Sequence, residues 1–211
     1  MRRPICYVVG AGEDYGLDFV PREEDLVIAA DAGYRRLKAA GLRPRLVVGD
    51  FDTLGAPPED EQVVTLPKIK DVTDTWAAIR LGLERGYRSF ALYGCTGGRF
   101  EHTLANLQIL ADLAAGGVEC RLVDKTQVIT AISGGTLSFG PECRGFVSVF
   151  SHSDVSTGVT IRGMKYELEG AELTNRFPLG VSNEFLGVPS SVTVEKGTLL
   201  VAFNRKYSAQ F

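Results

Sequence analysis

Histidines, cysteine pairs and long apolar runs are all scarce in this chain. Of its 211 residues only two are histidines, His102 and His152, so histidine-rich metal chemistry is not expected. Any metal here would be held by oxygen, which favours magnesium, calcium or manganese. The four cysteines, Cys6, Cys95, Cys120 and Cys143, lie far apart and form no CxxC pair. Zinc spacing is absent, a disulfide framework would be unusual in a chain of this size and composition, and reduced thiols in a cytoplasm are the expected state. No apolar run approaches the roughly 20 residues needed to cross a bilayer. Lys and Arg number 23 against 26 Asp and Glu, a net charge of −3, so neither a nucleic-acid surface nor a polybasic membrane patch is expected. The basic start "MRRP" is followed by a short apolar stretch and then Gly-Ala-Gly and Glu-Asp, which reads as a first strand rather than a signal peptide. Internal repeats and low-complexity segments are absent too.

What is present suits a folded chain: 45% hydrophobic and 23% charged residues, long enough for one large domain or two small ones. Up to about residue 125, short apolar runs alternate with helical patterns. "ICYVVGAG", "DLVIAADAG", "RLVVGDFD", "QVVTLP", "SFALYGCTGG" and "CRLVD" are apolar throughout, as strands buried on both faces of a parallel sheet must be. Between them, "AGYRRLKAAG" stops at a glycine, a usual helix terminator. "DVTDTWAAIRLGLERGY" sets Trp76, Ile79, Leu83 and Tyr87 on one stripe, with Asp71 or Thr73 as cap and Gly86 weakening its end. "RFEHTLANLQILADLAAGG" does the same with Leu104, Leu107, Ile109 and Leu110. The expected architecture is an α/β, Rossmann-like domain over residues 1–125 with a mainly parallel sheet. Residues 126–211 are β-branched and aromatic runs punctuated by Gly, Pro, Ser and Asn, and predict a second, all-β domain, a sandwich or half-barrel. "EKGTLLV" within it reads as a hairpin turn.

Open α/β sheets bind ligands outside the carboxyl ends of their strands, and acids recur at those ends. Asp31 follows "LVIAA"; Asp50 and Asp52 follow "LVVG"; Asp71 and Asp74 enter the helix after "VVTLP"; Glu101 follows "ALYGCTGGR". In a parallel sheet all six crowd one rim, which is costly unless cations share it. Asp31 would serve equally as a helix cap, and Asp71 and Asp74 suit a first helical turn. The Asp50–Asp52 pair, flanked by glycine after a buried strand, resists such a structural explanation. Near the same rim, Thr96, Gly97 and Gly98 make a turn whose backbone amides can approach phosphate, and Arg99 adds a planar cation. His102 and Asn106 share a helix face. Acids for a metal beside a glycine-arginine turn for phosphate are what a nucleotide–metal site requires.

"LVVGDFDTL" fits the Asp-x-Asp motif of haloacid-dehalogenase-type phosphatases, whose first aspartate is a nucleophile. There the motif closes the first strand, whereas here at least two strands precede it. "GDFDTLG", "KDVTDTWAAI", "TGGRFEHTLANL" and "VSNEF" together resemble the thiamine pyrophosphokinase family in kind, order and spacing, across nearly the whole chain. One position departs from the family, Glu101 standing where Asp is usual. The resemblance implies transfer of the β,γ-pyrophosphoryl group of ATP to thiamine, giving thiamine diphosphate and AMP. It implies Asp50, Asp52 and Asp74 as magnesium ligands, with Asp71 and Glu101 completing the acidic ring. Asp31, Lys70, Thr96, Gly97, Gly98, Arg99 and His102 would line the ATP site, and Ser182 and Asn183 would meet the thiamine pyrimidine across a homodimer interface. Ser-Asn is also an ordinary turn pair. A pyrophosphokinase for another alcohol, such as a pterin, and a non-catalytic nucleotide or thiamine sensor are the other readings.

Overall fold

In the computed structural model, residues 2–51, 55–56, 62–67 and 72–210 are described. Among them the chain is mostly strand, with a mixed sheet and three α-helices, none long and apolar enough to cross a membrane. It divides into two compact units, Met1–Asn106 with Leu122–Asp124, and Leu107–Arg121 with Lys125–Phe211.

The first unit contains β1 (Cys6–Val9), β2 (Leu26–Ala30), α1 (Gly33–Ala39), β3 (Leu46–Gly49), β4 (Val63–Thr65), α2 (Asp74–Glu84) and β5 (Ser89–Tyr93). Its strands lie in the order β4-β3-β2-β1-β5, every pairing parallel. β1, β2 and β3 are buried at every residue, the pattern that continuous apolar runs dictate when no strand face meets water. Asp25, 3% exposed, clasps the entry to this sheet. Its carboxylate accepts from the Ile5 N–H at 2.8 Å and the Arg22 N–H at 2.9 Å. Helix α2 is capped by Thr73, whose Oγ1 accepts from the Trp76 N–H at 3.1 Å. Ile79 of the expected stripe is buried, but its buried companions are Ala77, Ala78 and Gly82, while Trp76, Leu83 and Tyr87 are only half-buried. The shift has a steric cause: a Cβ on Gly82 would lie 2.6 Å from the Phe90 ring and 2.9 Å from Cys6 Sγ, so the small residues make the close contact. The helix ends in a left-handed Gly86, and the Tyr87 N–H turns back to the Gly82 carbonyl, leaving Tyr87 beyond the helix.

α3 (Phe100–Ala115) begins in the first unit and continues into the second, as does the chain through β6 (Glu119–Val123) in the opposite sense. Leu110 is buried as expected, but Leu104 is 47% exposed and Asn106 takes a buried position instead. The second unit holds β7 (Gln127–Phe139), β8 (Gly145–Ser151), β9 (Val155–Arg162), β10 (Leu168–Thr174), β11 (Gly180–Phe185) and β12 (Ser190–Asn204), closed by a 3-10 helix Arg205–Gln210. β12 pairs antiparallel with β7 along one side, and with β9 and then β8 along the other. "EKGTLLV" is therefore no hairpin. It lies inside β12, where the register with β7 shifts between Val194 and Thr198 around a left-handed Gly197; the glycine makes a bulge, not a reversal. The core of this unit includes Val147, Val149, Leu199 and Val201, with Phe139 meeting Phe185 and Phe203 edge to face at 4.9 and 5.3 Å.

Candidate functional site

Asp31 and Asp50 end neighbouring strands. Ala30 of β2 pairs with Val48 of β3, and the Asp31 N–H donates to the Val48 carbonyl at 2.7 Å. Gly49 lies against the Asp31 backbone, where a Cβ would approach Asp31 Cα to 3.2 Å. Asp31 is not a helix cap. The N-cap of α1 is Ala32, with no side-chain cap hydrogen bond. The Asp31 backbone is left-handed, φ 48°, the residue is only 8% exposed, and its Oδ1 has no hydrogen-bond partner among the described residues. A buried carboxylate oxygen in that condition is costly. Asp50 is half-buried. The next residue, Phe51, is buried and also left-handed, φ 60°, a backbone state that bulky residues seldom adopt. Asp74 opens α2, where the helix N-terminus favours negative charge. Asp52, Lys70 and Asp71 lie outside the described residues, and among those that are described no group of three acids, histidines or cysteines converges as a metal centre.

The turn after β5 is built as the sequence suggests. Gly97 and Gly98 are both left-handed, φ 75° and 60°, and among the described residues their N–H groups have no hydrogen-bond partner. They precede the first turn of α3, so these donors and the helix end together favour an anion. Asp124, Asn106 and Glu13 hold the turn in place. Thr96 Oγ1 donates to Asp124 Oδ1 at 2.6 Å, Asn106 Nδ2 donates to the Cys95 carbonyl at 2.7 Å, and the Glu13 N–H donates to the Thr96 carbonyl at 2.9 Å. Asp124 carried a visible signal, since "CRLVD" ends in an acid as the other strands do. Asn106 stood out only for sharing a helix face with His102, and Glu13 carried no signal.

The glycines after β1 work differently. The Gly10 and Gly12 N–H groups are bonded to the carbonyls of Tyr93 and Gly94, and the Arg36 guanidinium gathers the carbonyls of Gly10, Ala11 and Gly12. That loop packs against the β5 turn, and its Gly10 and Gly12 N–H groups are already engaged there. Arg99 Nε donates to Glu101 Oε1 at 2.7 Å on the exposed first turn of α3. Its own backbone N–H, then the Arg99 guanidinium, holds the Glu101 carboxyl below the usual range. Glu101 is thus engaged with the arginine two residues before it. His102 is exposed, its N–H bonded to the Arg99 carbonyl.

In the second unit, Ser182 is exposed and left-handed, φ 58°, at the register shift between Gly180 and Asn183 of β11. Its N–H donates to Ser148 Oγ at 3.0 Å. A bulge of this kind re-aims a side chain. Asn183 is buried, and its amide bonds the backbone of Tyr166 on both sides.

Comparison with known proteins follows the same two-part order. Residues 20–122 match the family model described as thiamin pyrophosphokinase, catalytic domain, and residues 137–199 match thiamin pyrophosphokinase, vitamin B1 binding domain. A thiamine pyrophosphokinase of Bacillus subtilis is 28% identical over 186 residues, spanning 85% of this chain and 87% of that protein. The crystal structure of a thiamine pyrophosphokinase from Bacillus subtilis superposes with a TM-score of 0.81 at 27% identity, covering 95% of this chain and 98% of that one. That of a thiamin pyrophosphokinase from Geobacillus thermodenitrificans gives 0.82 at 27% identity, covering 95% and 97%. With both family models matched in order over most of its length, the chain belongs to the thiamin pyrophosphokinase family.

Proposed function

We propose that this thiamine diphosphokinase transfers the pyrophosphoryl group of ATP to the hydroxyethyl oxygen of thiamine, releasing AMP, at the acidic rim and glycine turn described above. The observation that carries the reading is the ordered match of a catalytic and a vitamin B1 binding domain of one family. On this reading residues 1–125 form a Rossmann-like ATP-binding domain. Residues 126–211 form an all-β, sandwich-like domain that binds thiamine and joins two subunits into a cytoplasmic homodimer with a shared site.

The acids present fit a hard divalent cation. Asp31 Oδ1 is a buried anionic oxygen lacking a partner among the described residues, which is the kind of ligand magnesium takes. Asp31, Asp50 and Asp74, with Asp52, would hold it. Magnesium, when bound, supplies neutralising charge to the polyphosphate. The protein's own groups do the positioning. The Gly97 and Gly98 N–H donors hold phosphate oxygens, and Thr96, tied to Asp124, fixes the turn that carries them. Arg99 and Lys70 steady charge on the transferring and leaving phosphates, and His102 borders the nucleotide. Asp71 or Asp74 accepts the hydroxyl proton as the thiamine oxygen attacks the β-phosphorus and the bond to AMP breaks. Such transfers depend mainly on positioning and electrostatics. Ser182 faces thiamine from its bulge, with Asn183 behind it.

The test is chromatographic. Purified protein with ATP and magnesium should form AMP and thiamine diphosphate in equal amounts, and only when thiamine is added. AMP formation with a pterin alcohol instead of thiamine, or phosphate release without any acceptor, would replace this reading with another. Absence of all turnover with tight nucleotide binding would mark a sensor.

A further inference from the structure

The turn with the Gly97 and Gly98 donors is the first corner of a longer unit: β5, the glycine turn, α3, and β6, which runs straight into Asp124. Leu122–Asp124 belong to the first compact unit together with that turn. One bond joins the two ends, Thr96 Oγ1 donating to Asp124 Oδ1 at 2.6 Å. Thr96 is 5% exposed and directly precedes Gly97, and consecutive Cα atoms are only about 3.8 Å apart. The half-buried Asp124 carboxylate therefore stands one side chain and one residue away from the donors that face an anion. Glu13 and Tyr15 close the same corner. The Tyr15 hydroxyl donates to Glu13 Oε2 at 3.0 Å, and the Glu13 N–H holds the Thr96 carbonyl. The Glu13 side chain lies against Gly97, where a Cβ would come within 2.6 Å of Glu13 Cγ.

An acid so placed does not serve the phosphates themselves. An ionised carboxylate only accepts hydrogen bonds, a polyphosphate at neutral pH offers no donor, and the two repel. Nor does Asp124 stand with the acids assigned to the cation: Asp31 and Asp50 end β2 and β3, and β1 separates those strands from β5 in the sheet. The sugar of a nucleotide does carry donors, its hydroxyls, a short step from the α-phosphate. The adenine amino group is a further donor, but it lies beyond the sugar. In strand–glycine turn–helix–strand units that hold phosphate at the helix N-terminus, an acid about 20 residues on takes the ribose hydroxyls. Asp124, just after the strand that follows α3, has that place. A carboxylate has about four acceptor sites, so the bond from Thr96 does not exhaust it and holds it in one orientation.

Resting on the proposed function, we propose that Asp124 is the ribose-reading residue of the ATP site, its carboxylate accepting from a sugar hydroxyl of the nucleotide whose phosphates lie on the Gly97–Gly98 turn. Thr96 is then a positioning residue with two tasks. Its backbone leads into the turn, and its hydroxyl, with the proton on Asp124, serves the nucleotide through that carboxylate rather than by touching it.

Comparison of ATP with 2′-deoxy-ATP and 3′-deoxy-ATP at saturating thiamine tests this. The parent should favour ATP over at least one deoxy analogue in kcat/KM by about 10–100-fold, the scale of one hydrogen bond to a charged group. Asp124→Ala should bring that ratio to within about twofold of unity by raising KM for ATP, while use of the deoxy analogue changes little. A variant that only loosened the turn would lose all three nucleotides alike and keep the parent's ratio, and that result overturns the assignment. Asp124→Asn keeps the shape and takes a weaker, uncharged bond, so it should narrow the ratio by roughly threefold or more even where the alanine variant fails to fold; an unchanged ratio there also overturns it. Thr96→Ser retains the hydroxyl and should keep the ratio, whereas Thr96→Val should narrow it, and a valine variant with the parent's ratio overturns the positioning role. A parent that uses all three nucleotides equally, or an Asp124→Ala enzyme that loses its preference for ATP over inosine triphosphate instead, removes the ribose contact. If the parent makes no thiamine-dependent AMP from ATP, the proposed function itself fails, an outcome separate from an active parent indifferent to the sugar.

Discussion

Asp31 supports a prediction in which stability and activity move in opposite directions. Its carboxylate is buried at the end of β2, and Oδ1 is without a hydrogen-bond partner among the described residues. A buried polar group left unsatisfied costs about 1–3 kcal/mol, and more when it is charged. Asp31→Asn removes the charge and keeps the shape. Asparagine also tolerates the left-handed backbone at φ 48°, so no new strain offsets the gain. The variant should be more stable than the parent in chelator-treated buffer by about 1–2 kcal/mol, since part of the unmet hydrogen bonding persists in the neutral amide. For a chain of this length that is a rise in Tm of roughly 2–8 °C. Added magnesium should then reverse the order. At about 100 times its Kd a cation that binds only the folded state stabilises by about 2.7 kcal/mol; the parent should show this response and the variant should lose most of it. Turnover should fall at least ~100-fold, the scale of removing one charged stabiliser. Differential scanning fluorimetry with EDTA and with magnesium, run beside the AMP assay, reads all three effects. An Asn variant that melts below the parent in EDTA and keeps its magnesium response would refute the assignment of Asp31 as a cation ligand.

Other consequences are independent of the site. Asp25→Ala strips acceptors from the Ile5 and Arg22 N–H groups and should lower stability by about 3 kcal/mol in urea unfolding at neutral pH. Burial pushes the Asp25 carboxyl upward, but the bonds from Ile5 and Arg22 outweigh it and hold its pKa below the ordinary value. Its contribution is therefore present above the usual carboxylate pKa and lost as pH falls through the depressed folded value, so the gap between parent and variant should close in acid; a constant gap would contradict this. Gly82→Ala places a methyl 2.6 Å from the Phe90 ring and should cost about 1–3 kcal/mol by overpacking, against the small gain that a helical alanine normally brings. Cys95 is buried, and burial pushes its thiol up to about 11. A thiol reagent at pH 8 should leave Cys95 unmodified until the protein unfolds, and its labelling in the native state, read by mass spectrometry, would contradict the burial.

The parallel strands were legible because they rest on composition alone. Four or five apolar residues in a row, ending in glycine or an acid, can hardly be placed elsewhere than in a buried parallel strand, and β1, β2, β3 and β5 follow that pattern. Helix faces were less legible. The stripe through Trp76 and Leu83 ranked residues by size, whereas α2 turns Ala77, Ala78 and Gly82 inward because Phe90 and Cys6 already fill the space. Periodicity reports a face, but only the partner surface decides how large its residues can be. The bulge in β12 escaped for a related reason. "EKG" has the residues of a turn, and whether it reverses the chain depends on the pairing of Thr193 with Thr136 and of Thr198 with Ser133, contacts nearly 60 residues or more apart in sequence. The pairing of Asn183 with the Tyr166 backbone spans 17 residues, and Ser-Asn reads only as a turn pair until the segment between β9 and β10 is in place.

Local and global preferences disagree at three positions, and these lie in the segments singled out for chemistry. Among the described residues the left-handed non-glycines are Asp31, Phe51 and Ser182. Each costs roughly 1–2 kcal/mol relative to an ordinary backbone, and glycine would remove the cost, as it does at Gly97 and Gly98 in the turn between them in sequence. The chain therefore keeps a side chain where a glycine would be the easier choice for the backbone. For Asp31 that side chain is a buried carboxylate lacking a hydrogen-bond partner at Oδ1, for Ser182 an exposed hydroxyl on a bulge, and for Phe51 a buried ring in the link that separates Asp50 from Asp52. Sequences agree with their folds nearly everywhere, and residual conflict tends to gather where function demands it. By that criterion strain marks the rim of the first unit and the β11 bulge of the second on grounds independent of any family resemblance. Asp31, read from sequence as either a cap or one of the rim acids, is not the cap of α1 and holds its strain with Oδ1 unpartnered among the described residues.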